Sequence, residues 1–163
     1  MNAHETDEIH RVYLGLGSNI DPEENLLRAV HLLRRSVDIL ARSSVWETPS
    51  VGSPGPNFLN AAVLTATRLS APELTSQVLR PLEAKLGRVR TADPNYPRTI
   101  DLDILIFDKN VIDPEIWERA HKCIPLAQIL HDYSHPATGE AITSIADRLA
   151  QSTSIRLRLD VVL

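Results

Sequence analysis

The sequence predicts an α+β fold, a ferredoxin-like antiparallel sheet with helices packed on it. Three observations carry that expectation. Short β-like runs and runs of helical period follow one another in the order β-α-β-loop-β-α-loop-β. Two loops, 48–57, rich in Pro and Gly, and 88–97, sit where they can meet at one sheet edge. And 163 residues with 43% hydrophobic content fit one domain over 1–163, large enough to bury a core without disulfide or metal staples. Residues 1–10, polar and acidic, are expected to be flexible.

The elements follow in order. Val12 to Gly17 is a β-like run closing on glycines, and Asp21-Pro22-Glu23-Glu24 opens a helix carrying Leu26, Leu27, Val30 and Leu33. Val37 to Glu47 alternates loosely as one strand, and Phe58 to Thr67 reads as the next. Ser70 with Glu73 forms a capping box before Leu74, Val78, Leu82 and Leu86, with Gly87 as the stop. Pro81 removes a backbone donor inside this pattern, so a kink or slack turn is expected near Gln77. Residues 101–107 form a strand ended by the turn Asp108-Lys109-Asn110, and 115–135 looks irregular. A short helix is expected near 143–150. Ile155, Leu157, Leu159 and Val161 then describe a half-buried final strand.

Composition narrows the function. Lys+Arg 17 against Asp+Glu 21 gives a net charge of −4 and no basic excess for a nucleic-acid surface, so small-molecule partners are expected. A monomer is a separate expectation, which does not rest on composition. The one cysteine, Cys123, forms no internal disulfide and suits a reducing, cytoplasmic compartment. No run reaches the length of a membrane span or the apolar stretch of a secretory signal.

The most informative run is Pro97-Arg98-Thr99-Ile100-Asp101-Leu102-Asp103-Ile104-Leu105-Ile106-Phe107. Residues i and i+2 of a strand share a face, so Asp101 and Asp103 project together, roughly 7 Å apart, with Leu102, Ile104 and Ile106 opposite. A carboxylate pair suits Mg²⁺, which takes one or two carboxylates and fills its octahedron with water and phosphate oxygens. Arg98 adds a bidentate phosphate donor. The same spacing also fits two ordinary surface aspartates. His131 and His135 have the i, i+4 spacing of a metal pair, but no cysteines complete a tetrahedral site and Pro136 argues against a helix.

Four segments form a set: Leu14-Gly15-Leu16-Gly17-Ser18-Asn19; Glu47-Thr48-Pro49 with Phe58-Leu59-Asn60-Ala61; Glu83 to Arg90; and Pro97 to Ile104. In order and spacing this resembles the 6-hydroxymethyl-7,8-dihydropterin pyrophosphokinase family of folate synthesis. The likeness runs from about Val12 to Ile112 and resumes at Pro125 to Ile129 and His135-Pro136. It implies transfer of the terminal diphosphate of ATP to a pterin hydroxymethyl group, with two Mg²⁺ on Asp101 and Asp103. It further implies phosphate contacts from Arg98, closure by a loop carrying Arg88 and Arg90, and nucleotide contacts from Glu83, Ile104 and Arg119. Gly15, Thr48, Pro49, Val51, Phe58, Asn60 and His121 would form the pterin pocket. The chemistry agrees at Asn60, whose amide both donates and accepts and so can read the aminopyrimidinone edge, and at Phe58, which can stack. Taken alone, without the surrounding set, Phe58 reads first as plain core and Asn60 as a β-edge turn residue.

The sequence departs from the family pattern after Ile112. The segment before Arg119 is short, a Pro-His pair is absent, His121 stands where an aromatic is expected, and Asn95-Tyr96 replaces a Trp-Gly. Trp117 is placed to stand in for a lost contact. Other readings are a diphosphokinase for a different pterin, or a non-catalytic paralogue that keeps the pocket.

Overall fold

The computed structural model describes residues 8–50, 52 and 54–163; most of 1–10 lies outside them. The chain runs through β1 (His10–Ser18), α1 (Pro22–Leu33), β2 (Asp38–Arg42), β3 (Val45–Thr48) and β4 (Phe58–Thr67). There follow α2 (Ala71–Leu74), a π-helical turn (Thr75–Leu79), α3 (Arg80–Lys85), β5 (Asp101–Phe107) and β6 (Asn110–Val111). A 3₁₀ turn (Pro114–Trp117), α4 (Ala120–Ile129), α5 (Ile142–Ser152) and β7 (Arg156–Arg158) complete the order. The seven strands form one antiparallel sheet, β6-β5-β1-β4-β3-β7, with β2 pairing a second stretch of β4.

Alternation along the strands divides the core between the two faces. Val12, Leu14 and Leu16 of β1 meet Leu26 and Leu33 of α1 and Leu82 of α3 on one side. Tyr13, Leu64 and Leu105 meet Cys123 and Ile124 of α4 and Ile145 of α5 on the other. The two foreseen helical segments share a face as expected, whereas α4 and α5 cover the opposite one. Helix α4 falls in the stretch that looked irregular. Pro125 lies inside it and removes the bond to the His121 carbonyl, but Ala120, Cys123, Ile124, Leu126 and Ala127 are buried, and that packing outweighs the lost bond.

Other differences have local causes. The single strand expected over 37–47 is two, β2 and β3. Between them the Ser43 N–H donates to the Ala62 carbonyl while its hydroxyl accepts from the Ala62 N–H, so the chain jogs across β4. The slack turn expected near Gln77 is the π-helical turn, which accommodates the bond that Pro81 cannot make to the Gln77 carbonyl. The final strand is only Arg156–Arg158. Leu157 (38% exposed) and Leu159 (78%) face solvent, because β7 is a sheet edge and Arg158 grips Asp160 in the turn that follows; Ile155 and Val161 do pack inward. Finally, the pairing of β1 with β5 slips between Tyr13 and Leu14, so Ile106 lies opposite Tyr13 and shares its face rather than that of Leu102 and Ile104.

Candidate active site

The central strand explains the cleft. Gly15 and Gly17, two residues apart on β1, share the face of the sheet that the first turn of α4 approaches with His121 and Lys122. Gly15 lies between Asp103 of β5 and Ala62 of β4, and Gly17 between Asp101 and Asn60. Two glycines therefore leave a bare floor with carboxylates along one side and an amide along the other. A Cβ on Gly15 would sit 3.2 Å from the Leu105 side chain, which leans over it, and one on Gly17 would sit 3.4 Å from the Asn60 amide oxygen. The cavity over this floor has a volume of about 180 Å³.

Around it stand Thr48, Pro49, Phe58, Asn60, Arg98, Asp101, Asp103 and His121, all foreseen from the sequence. The amide nitrogen of Asn60 donates to the Thr48 hydroxyl at 3.0 Å and toward the Trp46 carbonyl at 3.4 Å, so β3 sets the orientation of the amide. Phe58 lies under the Arg98 guanidinium, 5.7 Å from ring centroid to Cζ. Asn19 holds the Arg98 backbone at both ends, accepting its N–H at 2.8 Å and donating to its carbonyl at 3.1 Å.

The two aspartates share a face, as the spacing predicts, but their surroundings differ. Asp101 is bridged by Arg88 at 3.1 Å and Arg98 at 2.9 Å. Burial alone would raise its carboxyl, and the two guanidiniums more than offset that, holding it below the usual carboxylate range. Among the described residues Asp103 has one ion pair, a long one to Arg80 at 4.0 Å, and the charge of Lys122 adds a further, insufficient pull. Burial first, and then the charge of Asp101, push its carboxyl up to about 6. A hard cation would relieve that tension. Arg98 Nε is also buried with no hydrogen-bond partner among the described residues, an N–H left for an anion.

Several expected contacts fall elsewhere. Glu83 is 1% exposed and lies behind β5, where it accepts hydrogen bonds from the Leu102 N–H (2.9 Å), Arg80 (2.8 Å) and Arg90 (2.6 Å); it braces the arginines and the aspartate strand instead of lining the cleft. The Ile104 side chain points to the opposite face, into the core with α1 and α3. Arg119 caps α4 and reaches Glu115 at 3.9 Å, outside the cavity. Both loop arginines are anchored in this structure, Arg88 donating to the Ile100 carbonyl at 2.7 Å and Arg90 to Glu83 at 2.6 Å, so closure of the loop would require Arg90 to leave Glu83. Trp117 stacks on Tyr133, 5.9 Å between centroids, packed against the second core and outside the cavity lining. Val51 lies outside the described residues.

His121 does face the cavity. Burial, then the charges of Lys122 and Arg119, push its imidazole down to about 4, so it presents a neutral ring. Residues that sequence reasoning missed are Arg80, Asn19, Asn95, Leu105 and Lys122. Of these, Arg80 carried a signal, its i, i+3 spacing to Glu83. Lys122, held by Asp113 at 2.7 Å and Glu115 at 2.6 Å, is brought to the cavity only by α4.

Residues 13–131 match the model of the 7,8-dihydro-6-hydroxymethylpterin-pyrophosphokinase (HPPK) family. The chain belongs to that family. It is 38% identical over 138 residues to the 2-amino-4-hydroxy-6-hydroxymethyldihydropteridine pyrophosphokinase of Bacillus subtilis, covering 77% of this chain and 81% of that one. The protein of the same name from Methylorubrum extorquens is 40% identical over 134 residues, covering 75% and 84%. Among solved structures, the wild-type HPPK-DHPS of Plasmodium falciparum superposes with a TM-score of 0.73 at 13% identity, over 91% of this chain and 42% of that one. That likeness shows a shared HPPK fold, and the chain spans under half the length of that protein.

Proposed function

We propose that this HPPK-family chain moves the terminal diphosphate of ATP onto the hydroxymethyl oxygen of 6-hydroxymethyl-7,8-dihydropterin and releases AMP, a step of folate biosynthesis. The observation that carries the reading is one cavity with two chemistries. Asn60, Thr48, Phe58 and neutral His121 suit a flat heterocycle with a donor-acceptor edge, and Asp101, Asp103 and Arg98 suit a metal-bound polyphosphate.

Asp101 and Asp103 would hold Mg²⁺, two ions by family resemblance, and bound Mg²⁺ neutralises charge on the phosphates and lowers the barrier to displacement. The protein's own part is positional. Asn60, oriented by Thr48, fixes the ring edge so that the hydroxymethyl group lies toward β5. Arg98, with its spare Nε–H, takes a phosphate oxygen, and Arg90, on exchanging Glu83 for phosphate, follows on the loop that closes over it. The hydroxymethyl oxygen attacks the β-phosphorus, the bond to the α-phosphate oxygen breaks, AMP leaves and the hydroxyl proton passes to solvent.

A monomeric, single-domain, cytoplasmic protein with no nucleic-acid or membrane partner is part of the same proposal. It is supported by the acidic balance, by the absence among the described residues of a helix long and apolar enough to cross a membrane, and by Cys123, whose thiol burial pushes up to about 12. The test is incubation with ATP, Mg²⁺ and 6-hydroxymethyl-7,8-dihydropterin: AMP appears in step with pterin diphosphate. No AMP with this pterin overturns the assignment.

A further inference from the structure

The family match ends at residue 131, yet β7 (Arg156–Arg158) is built into the sheet beside the candidate pterin loop. Val45, Trp46 and Glu47 of β3 pair with Arg158, Leu157 and Arg156. The pairing is reinforced by charge. Arg156 grips Glu47 through Nε at 3.0 Å and through Nη2, and Arg158 reaches Glu47 at 3.2 Å. Arg158 also contacts Glu23, in the first turn of α1, at 3.1 Å, and Asp160 at 2.7 Å. Arg158 and Glu47 are both largely shielded, at 16% and 17% side-chain exposure, so this is a firmer arrangement than an open surface pair.

The strand register shows what the clamp can act on. Val45 and Glu47 face the α1 side, and Trp46 and Thr48 face the cavity side. The clamp thus grips one face of β3 while the next residue, Thr48, presents its hydroxyl to Asn60 on the other. Without β7, β3 would be a four-residue edge strand tied to the sheet by three pairings with β4. It would carry the loop of Pro49 and Ser50 at its free end.

We propose that the C-terminal strap, Arg156 and Arg158 on Glu47, is a positioning device for the pterin pocket, holding β3 so that Thr48 keeps the Asn60 amide aimed at the ring edge. This rests on the substrate reading above. Neither arginine lines the cavity, so both act through β3 and neither is a catalytic residue. The strap lies far from Asp101 and Asp103 in the sheet order, with β4 and β1 between them, so the polyphosphate side should not feel its loss.

The test uses the full chain with Arg158→Met, Glu47→Gln and the milder Arg156→Ala, whose side chain is 70% exposed and whose loss the fold should survive. Two measurements are read. Hydrogen exchange without ligand should quicken at the amides of 46–48 and leave those of β5 unchanged. Calorimetry should show dihydropterin affinity falling about 3- to 10-fold with ATP affinity within about 2-fold of wild type, roughly the effect of one weakened hydrogen bond. The double variant Glu47→Gln/Arg158→Met should be no worse than the poorer single, and Arg158→Lys should recover part of the loss. Unchanged exchange at 46–48, or equal losses for both ligands, overturns the strap. If wild type binds no dihydropterin while exchange responds as described, the strap holds and the substrate reading is what fails.

Discussion

Removing the Glu83 carboxylate is the most diagnostic perturbation of the scaffold under the candidate site. Its two oxygens accept from the Leu102 N–H, Arg80 and Arg90, and Leu102 is fully buried between the two aspartates. In Glu83→Ala the Leu102 N–H loses its partner, which costs about 1–3 kcal/mol for a buried donor. Stripping one member from a buried ion pair costs about 3–5 kcal/mol when the other stays dry. Here the arginines are 37% and 53% exposed and can rehydrate, so the lower end applies. The two contributions overlap at one carboxylate, and about 3 kcal/mol in total is expected, or roughly 6–12 °C in Tm for a chain of this size. Glu83→Gln keeps an acceptor for Leu102 but turns an NH₂ toward a guanidinium, for about 1–2 kcal/mol. Urea unfolding gives the stabilities, and AMP formation by the surviving folded fraction gives the activity, which should fall because the strand carrying Asp101 and Asp103 has lost its brace. A loss under about 0.5 kcal/mol in Glu83→Ala, the range of neutral surface changes, would refute the buried brace. So would Glu83→Gln being the worse of the two.

Asp103→Asn should abolish transfer by orders of magnitude while the fold persists. Because burial and Asp101 raise the folded carboxyl to about 6, the folded state binds more protons between about pH 4 and 6; wild type therefore loses stability as pH rises through that window, and the variant should be more stable above it, by no more than about 1 kcal/mol given the 40% exposure of the side chain. Thermal melts from pH 4 to 8 check the sign. Asn60→Ala should weaken dihydropterin binding about 10-fold, a lost buried hydrogen bond, and ATP binding much less; equal losses by calorimetry would make Asn60 structural only. His121, pushed down to about 4, stays neutral through the physiological range, so dihydropterin affinity should be flat from about pH 6 to 8 and His121→Phe should keep it. Its folded imidazole binds fewer protons than the unfolded one between about pH 4 and 6.5, so wild type should lose stability relative to His121→Phe as pH falls through that range; matching melts would show that His121 is not buried in solution.

How much could be read from the chain alone follows from the range of the physics involved. The periods of β1, α1, β4 and β5, the Ser70-Glu73 cap, the Gly87 stop and the shared face of Asp101 and Asp103 are set by neighbours within four residues and were legible, whereas the split of 37–47 and the short extent of β7 depend on what those segments pair with. The spacing of Gly15 and Gly17 was legible too, but its meaning, a floor between Asp103 and Asn60, exists only once β5 and β4 pair on either side of β1. Helix α4 hid behind Pro125 because its stability comes from burial against the sheet, not from its own pattern. The slip that turns Ile106 over, the spending of Glu83 on a strand amide, the burial that drives His121 down and Asp103 up, and the reach of Arg158 across 111 residues to Glu47 are all decided by which surfaces meet. The sequence determined by itself which groups are available and, where no bulge intervenes as it does before Ile106, on which face of an element they stand. The tertiary structure decided which of them are dry, which are paired and which are left facing a ligand, because desolvation and long-range pairing depend on neighbours that the chain brings together only by folding.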